Sequence, residues 1–253
     1  MDDLLYKMIF KRRSFHVFRS AEGEAITSEE LQHIQEKFKQ FIPLDKDIKI
    51  DMQICSAGHT ACKRGQEYCL LLYSEKKDNY LQNIGYVGEQ LDLYLASLNI
   101  GALWFGIGKA DEPEKDNMEF VIMIAVRKVQ ENKFRKDMFK SKRKPVEEIW
   151  DGPDIGNAAG IARFAPSACN TQPWLVENRQ GCLLVFRYRK PGRRGIMPAH
   201  KVTYYNRIDM GIFLLFLELC LRHENIQFER ELFYDEGGEE RKTLMAKYKY
   251  LKA

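Results

Sequence analysis

Two long apolar segments with helical spacing constrain this chain most. Over residues 85–102, Val87, Leu91, Leu95 and Leu98 recur at helical intervals, and residues 209–223 are apolar almost throughout. Such patterns predict helices buried on most of their surface, which need a core built around them. Neither reaches the roughly 18 uncharged apolar residues of a membrane span. The longest apolar run, residues 212–221, contains Glu218. Gly101 is expected to end the first helix in the left-handed conformation.

Shorter signals surround these helices. Residues 1–10 carry apolar pairs at helical spacing. Thr27, Ser28, Glu29 and Glu30 read as an N-cap and an acidic first turn, followed by Leu31, Ile34, Phe38 and Phe41, with Pro43 as a stop. Residues 68–73, 120–126 and 182–188 are short apolar runs that predict buried strands. Residues 146–150 and 155–164 read as short helices, and 226–234 and 244–251 as closing strands. The halves rhyme. Cys69-Leu70-Leu71 matches Cys182-Leu183-Leu184, and residues 88–101 match 211–224. A period of about a hundred residues is too long for a solenoid. It implies one domain over residues 1–253, made of two similar halves, about 1–150 and 151–253.

Composition excludes several partners. The net charge of +4, from 40 basic and 36 acidic residues, lacks the clustered footprint of a nucleic-acid binder. The basic run over residues 128–144 is either a solvated loop or a phosphate-binding segment. None of the six cysteines forms a Cys-x-x-Cys pair, and the N-terminus is acidic. We read free thiols, a cytoplasmic location and no membrane association. Cys55, His59 and Cys62 have no fourth ligand at matching spacing, so no metal site is expected.

Glycine-rich nucleotide loops, zinc-protease and serine-hydrolase signatures are absent. Three other segments carry chemistry. Lys11-Arg12-Arg13-Ser14-Phe15-His16 offers guanidinium, hydroxyl and imidazole donors suited to a phosphate or an electron-rich ring edge, or else forms a solvated face. Ala165-Pro166-Ser167-Ala168-Cys169-Asn170-Thr171-Gln172-Pro173-Trp174 places polar side chains and small residues between two prolines. Gly101-Ala102-Leu103-Trp104-Phe105-Gly106 suits a flat ligand lying on backbone, or simple core packing by the two rings.

Taken together with Arg143-Lys144-Pro145-Val146-Glu147-Glu148 and the Gly88-Glu89 helix, these segments resemble the nitroreductase family of FMN enzymes, from residue 11 to about 225. The resemblance implies an α+β, nitroreductase-like fold with a central antiparallel sheet flanked by helices. The order departs from the usual one, because the Pro-Ser-x-x-Asn segment follows the Gly-Glu helix. Only the first half has Arg-Arg-Ser and only the second has Pro-Ser-x-x-Asn. The simplest inference is the branch with two fused halves, an internal pseudo-dimer acting as a monomer, with one FMN site at the junction.

By the resemblance, Arg12, Arg13 and Ser14 would hold the phosphate, ribityl chain and pyrimidine edge, with Lys142 and Arg143 adding charge. Pro166, Ser167, Ala168, Asn170 and Gln172 would line the ring and ribityl chain. Trp104, Phe105 and Gly106 would lie at the flavin, with the backbone N–H groups around Phe105 to Gly108 toward its reactive nitrogen. His16 stands where the family often has Arg or Lys. No catalytic side chain is required, because the flavin carries the chemistry. The resemblance implies a ping-pong oxidoreductase that takes electrons from NADH or NADPH and passes them to a small acceptor such as a nitroaromatic or quinone. The alternative is an FMN-binding or carrier protein without turnover. Arg189, Lys190, Arg193 and Arg194 are candidates for a 2′-phosphate or a solvated face.

Overall fold

Asp2 and Asp3 occupy the first turn and Lys11 the last turn of α1 (Asp2–Lys11), charges that suit the helix dipole. Thr27 then caps α2 (Ser28–Phe38) reciprocally. Glu30 N–H donates to Thr27 Oγ1 at 3.1 Å, and Thr27 N–H donates to Glu30 Oε2 at 3.0 Å. The computed structural model describes residues 1–18, 24–189, 195–238 and 240–250. Of the residues named above, Lys190, Arg193, Arg194 and Leu251 lie outside them.

The first half continues through β1 (Ile50–Ser56), β2 (Tyr68–Ser74), α3 (Tyr80–Ser97), β3 (Ile100–Phe105), β4 (Glu114–Lys115) and β5 (Met118–Lys128). The second comprises β6 (Trp150–Asp151), α4 (Ala158–Ala162), β7 (Trp174–Arg179), β8 (Cys182–Tyr188), α5 (Val202–His223), β9 (Phe228–Leu232) and β10 (Lys242–Tyr250). Residues 146–148 form only a 3₁₀ turn.

The strands form two five-stranded sheets rather than one central sheet, ordered β1-β2-β5-β3, with β4 beside β5, and β6-β7-β8-β10-β9. All pairings are antiparallel except β6 with β7. Leaving β4 and β6 aside, each half runs strand, strand, long helix, edge strand, inner strand, with the same neighbours. The division follows from the two long helices, whose apolar surfaces give each sheet its own layer to pack on.

Helices α3 and α5 cross in backbone contact. A Cβ on Gly85 would lie 2.0 Å from the carbonyl oxygen of Ile208, and one on Gly211 would lie 1.9 Å from that of Gln82. Each glycine thus meets the carbonyl three residues ahead of the other. The crossing brings together Gly85 and Gly211, rather than the Gly88 and Gly211 that the sequence aligns. Gly88 instead makes room for the indole of Trp104, 2.5 Å from its would-be Cβ. Gly101 does not end α3. Asn99, at φ 57°, takes the left-handed position, as Asn225 does after α5, also at φ 57°. Gly101 lies in β3, where a Cβ would fall 2.8 Å from the ring of Phe15.

One apolar core spans both sheets and α1, α3, α4 and α5. A second cluster covers the other face of the first sheet, where Phe15, Phe18, Cys62 and Phe134 pack on Cys69, Leu71, Leu103, Phe105 and Met123. That explains why β2 is apolar without alternation, while β7 and β8 alternate between buried and half-buried positions. Among the described residues no helix is long and apolar enough to cross a membrane.

Candidate functional site

The end of α1 delivers Arg12 into the interior. Its Nε and Nη2 donate to Asp92 Oδ2 at 3.1 and 2.7 Å, and Glu89 Oε1 lies 3.5 Å from Nε. Trp104 Nε1 donates to the same Asp92 oxygen at 3.0 Å. Arg12 is only 2% exposed, so this pair stands in low dielectric. Burial pushes the Glu89 carboxyl well up against the pull of Arg12. From Arg12 the chain straps across β3. Ser14 bridges to Ala102, and Phe15 N–H donates to Ala102 O at 3.0 Å. Arg13 reaches out instead, donating from Nη1 to Lys133 O at 3.0 Å.

In the second half, residues 163–172 fold into a tight knot. Cys169, Asn170 and Gln172 all have positive φ, at 49°, 55° and 49°. Three such residues without a glycine are held only because their surroundings over-determine them. Ser167 Oγ accepts from Gln172 N–H at 2.9 Å. Gln172 is buried, and its side-chain and main-chain oxygens accept from Lys144 N–H and Nζ at 2.7 and 2.6 Å. Asp209 of α5 supports the knot from below, accepting from Ala168 N–H at 2.9 Å. Burial raises its carboxyl to about 8, although that N–H opposes the shift.

Arg143 joins this knot to the basic run. Its Nη1 donates to Asn170 Oδ1 at 3.0 Å and its Nη2 to Phe164 O at 3.2 Å, while Asn170 Nδ2 donates to Lys142 O at 3.2 Å. Arg163 donates to Lys144 O at 2.9 Å and lies 4.5 Å over the Phe164 ring. Burial and the charges of Arg12, Arg135 and Arg163 pull Arg143 down to about 10. Burial and the charges of Arg12 and Arg13 do the same to Arg135. The strap, the basic run and the knot therefore bring their guanidiniums within reach of one another's fields. Such an arrangement favours a bound anion, which relieves the repulsion.

A further contact closes the gap between halves. Tyr205 of α5 donates its hydroxyl to Gly106 O, in the turn that Gly108 N–H closes onto Phe105 O at 3.2 Å. A Cβ on Gly106 would lie 2.8 Å from the Tyr205 ring.

The structure brings Arg12 and Trp104 together on Asp92 with Arg13 and Ser14 on the same strap, and it brings Lys142, Arg143, Ser167, Ala168, Asn170 and Gln172 together around the knot, where Pro166 is half-buried. It also alters several expectations. Arg12 spends two nitrogens on Asp92, and Trp104 spends its N–H there. The Phe105 ring is buried in the outer cluster, so this segment can offer a ligand mainly backbone. Gln172 points inward. His16 is exposed and makes no hydrogen bond to the others among the described residues. Sequence reasoning missed Asp92, Arg135, Tyr205 and Asp209. Arg135 was visible only as one charge of a run, and nothing marked the other three on their apolar helices.

The family model described as "Putative TM nitroreductase" matches residues 4–220. No curated protein matches the chain. A solved Thermotoga maritima structure described in nearly the same words is 17% identical, with a TM-score of 0.63 over 97% of this chain and 93% of its own. A Clostridium difficile nitroreductase family protein is 14% identical, with a TM-score of 0.44 over 60% of this chain and 98% of its own. A nitroreductase with bound FMN from Desulfitobacterium hafniense is 14% identical, with a TM-score of 0.41 over 57% of this chain and 100% of its own. The match over most of its length makes this chain a member of that nitroreductase family.

Proposed function

We propose that the chain is an FMN-dependent oxidoreductase that moves electrons from NADH or NADPH to a small oxidised acceptor, such as a nitroaromatic or a quinone. The observation that carries this reading is the junction of Arg143 with Asn170, set in the field of Arg12, Arg135 and Arg163. It unites the basic run, the knot and the Arg-Arg-Ser strap. The residues fit a phosphate-bearing flavin. Arg143 Nε and Arg163 Nε are buried without a partner, and the donor set is cationic.

FMN, when bound, supplies the two-electron redox chemistry. The chain's own residues do the rest. Arg13, Lys142 and Arg143 hold negative charge at the phosphate end. Ser14 and Asn170 offer hydrogen-bonding groups along the ribityl chain. Pro166, Ser167 and Ala168 would line the ring, and the backbone around Phe105 and Gly106 would offer it N–H groups. Arg12 acts through Asp92 by fixing the strap. Donor and acceptor would react in turn, the ping-pong order.

The same reading makes residues 1–150 and 151–253 an internal pseudo-dimer, with the chain a monomer of one site. The shared strand order and the reciprocal glycine contacts support it. The six free cysteines support a reducing, cytoplasmic setting.

The test is an absorbance spectrum of the purified protein before and after anaerobic NADPH or NADH. Flavin bands that bleach support the reductase. Bands that persist with both donors turn the reading to an FMN carrier. A colourless protein that takes up no added FMN overturns both.

A further inference from the structure

We infer that Arg135 is the residue that makes the site selective for a phosphate-bearing flavin, by closing over the phosphate opposite Arg143. This rests on the FMN reading above and adds to it a residue that no motif marks.

The placement comes from two staples. Arg135 N–H donates to Lys11 O at 3.1 Å, and Arg13 Nη1 donates to Lys133 O at 3.0 Å. Residues 133–135 are therefore pinned along the Lys11-Arg12-Arg13 strap. The neighbouring cations are otherwise engaged. Lys11 donates to Asn99 Oδ1 at 2.7 Å and lies 3.5 Å from Glu131, and Arg12 is locked on Asp92. Arg143 and Arg163 donate to neutral oxygens. Among the described residues, Arg13, Arg135, Arg143 and Arg163 have no carboxylate partner. Arg135 is half-buried, so water relieves it only in part. Burial first, and then the charges of Arg12 and Arg13, weaken its hold on its proton, and a bound anion would offset both. A guanidinium fork matches a phosphate in two hydrogen bonds, and a free hydroxyl in its place satisfies neither charge nor geometry.

Dissociation constants for FMN and riboflavin, measured side by side by flavin fluorescence, test this. In Arg135→Met, FMN should weaken by about 10- to 100-fold, while riboflavin binding is unchanged. Arg135→Lys keeps the charge, loses the fork and should give an intermediate FMN-to-riboflavin ratio. It also serves if truncation unfolds the chain. Lys136→Met, at an exposed neighbour, should match wild type. Equal loss of both flavins, no loss of either, or a wild-type ratio in Arg135→Lys overturns the inference. Wild-type protein that binds neither flavin overturns the FMN reading itself, a distinct outcome.

Discussion

Removing Asp92 leaves the Arg12 guanidinium without water and with only Glu89 at 3.5 Å to answer it. Asp92→Ala is expected to destabilise the fold by about 3 kcal/mol, seen as a lower urea midpoint. Asp209 has the opposite electrostatic character. Its carboxyl ionises at about 8 in the folded chain, against an ordinary 3.8. The folded state therefore keeps a proton that the unfolded state releases between those values. Stability from this site falls as pH rises through that window and is level above it. Asp209→Asn keeps the carbonyl that accepts from Ala168 N–H and cannot ionise. The gap between its urea midpoints at pH 5 and pH 8 should be smaller than in wild type. An unchanged gap would mean that Asp209 is already ionised at pH 5.

At the scale of elements, the α3–α5 crossing makes the sharpest demand. Gly85→Ala and Gly211→Ala both drive a methyl into backbone, which cannot rotate away. Each should cost at least the roughly 1–3 kcal/mol of an overpacked core, and by their reciprocity the two should cost alike. Gly58, with nothing within 4 Å of its would-be Cβ, is the control, and Gly58→Ala should shift the urea midpoint little. These elements were legible to different degrees. The capping box at Thr27 and the apolar runs of β2, β5 and β8 follow local rules, and the structure has them where the sequence puts them. Gly101 misled because a glycine after a helical repeat usually ends it, whereas here Asn99 does so and Gly101 admits Phe15. The letters align Gly88 with Gly211, whereas the two glycines that meet backbone at the helix crossing are Gly85 and Gly211, since a strand and a helix can be matched independently when identity is low. That the strands form two sheets was not legible, because pairing depends on which layer each helix covers.

For the whole molecule, the proposed single site predicts one FMN per chain and a monomer, checked by flavin-to-protein ratio and light scattering. Two flavins per chain would contradict the one-site reading. The short motifs stand out in the sequence because polar side chains cluster between prolines or beside one another, and the structure uses several of them internally, Ser167 accepting from Gln172 N–H and Arg12 donating to Asp92. The supports from behind, Asp92, Tyr205 and Asp209, lie on segments whose apolar spacing hides them, and only packing reveals their direction. The backbone contact of α3 with α5 has one more consequence. Because the core runs unbroken across that seam, neither half owns a complete interior. Denaturation should be one sigmoidal event by fluorescence and by circular dichroism alike. Residues 1–150 made alone would expose the α3 face and aggregate rather than persist as a soluble fragment. On that shared core, residues 1–150 and 151–253 should melt together as one cooperative unit.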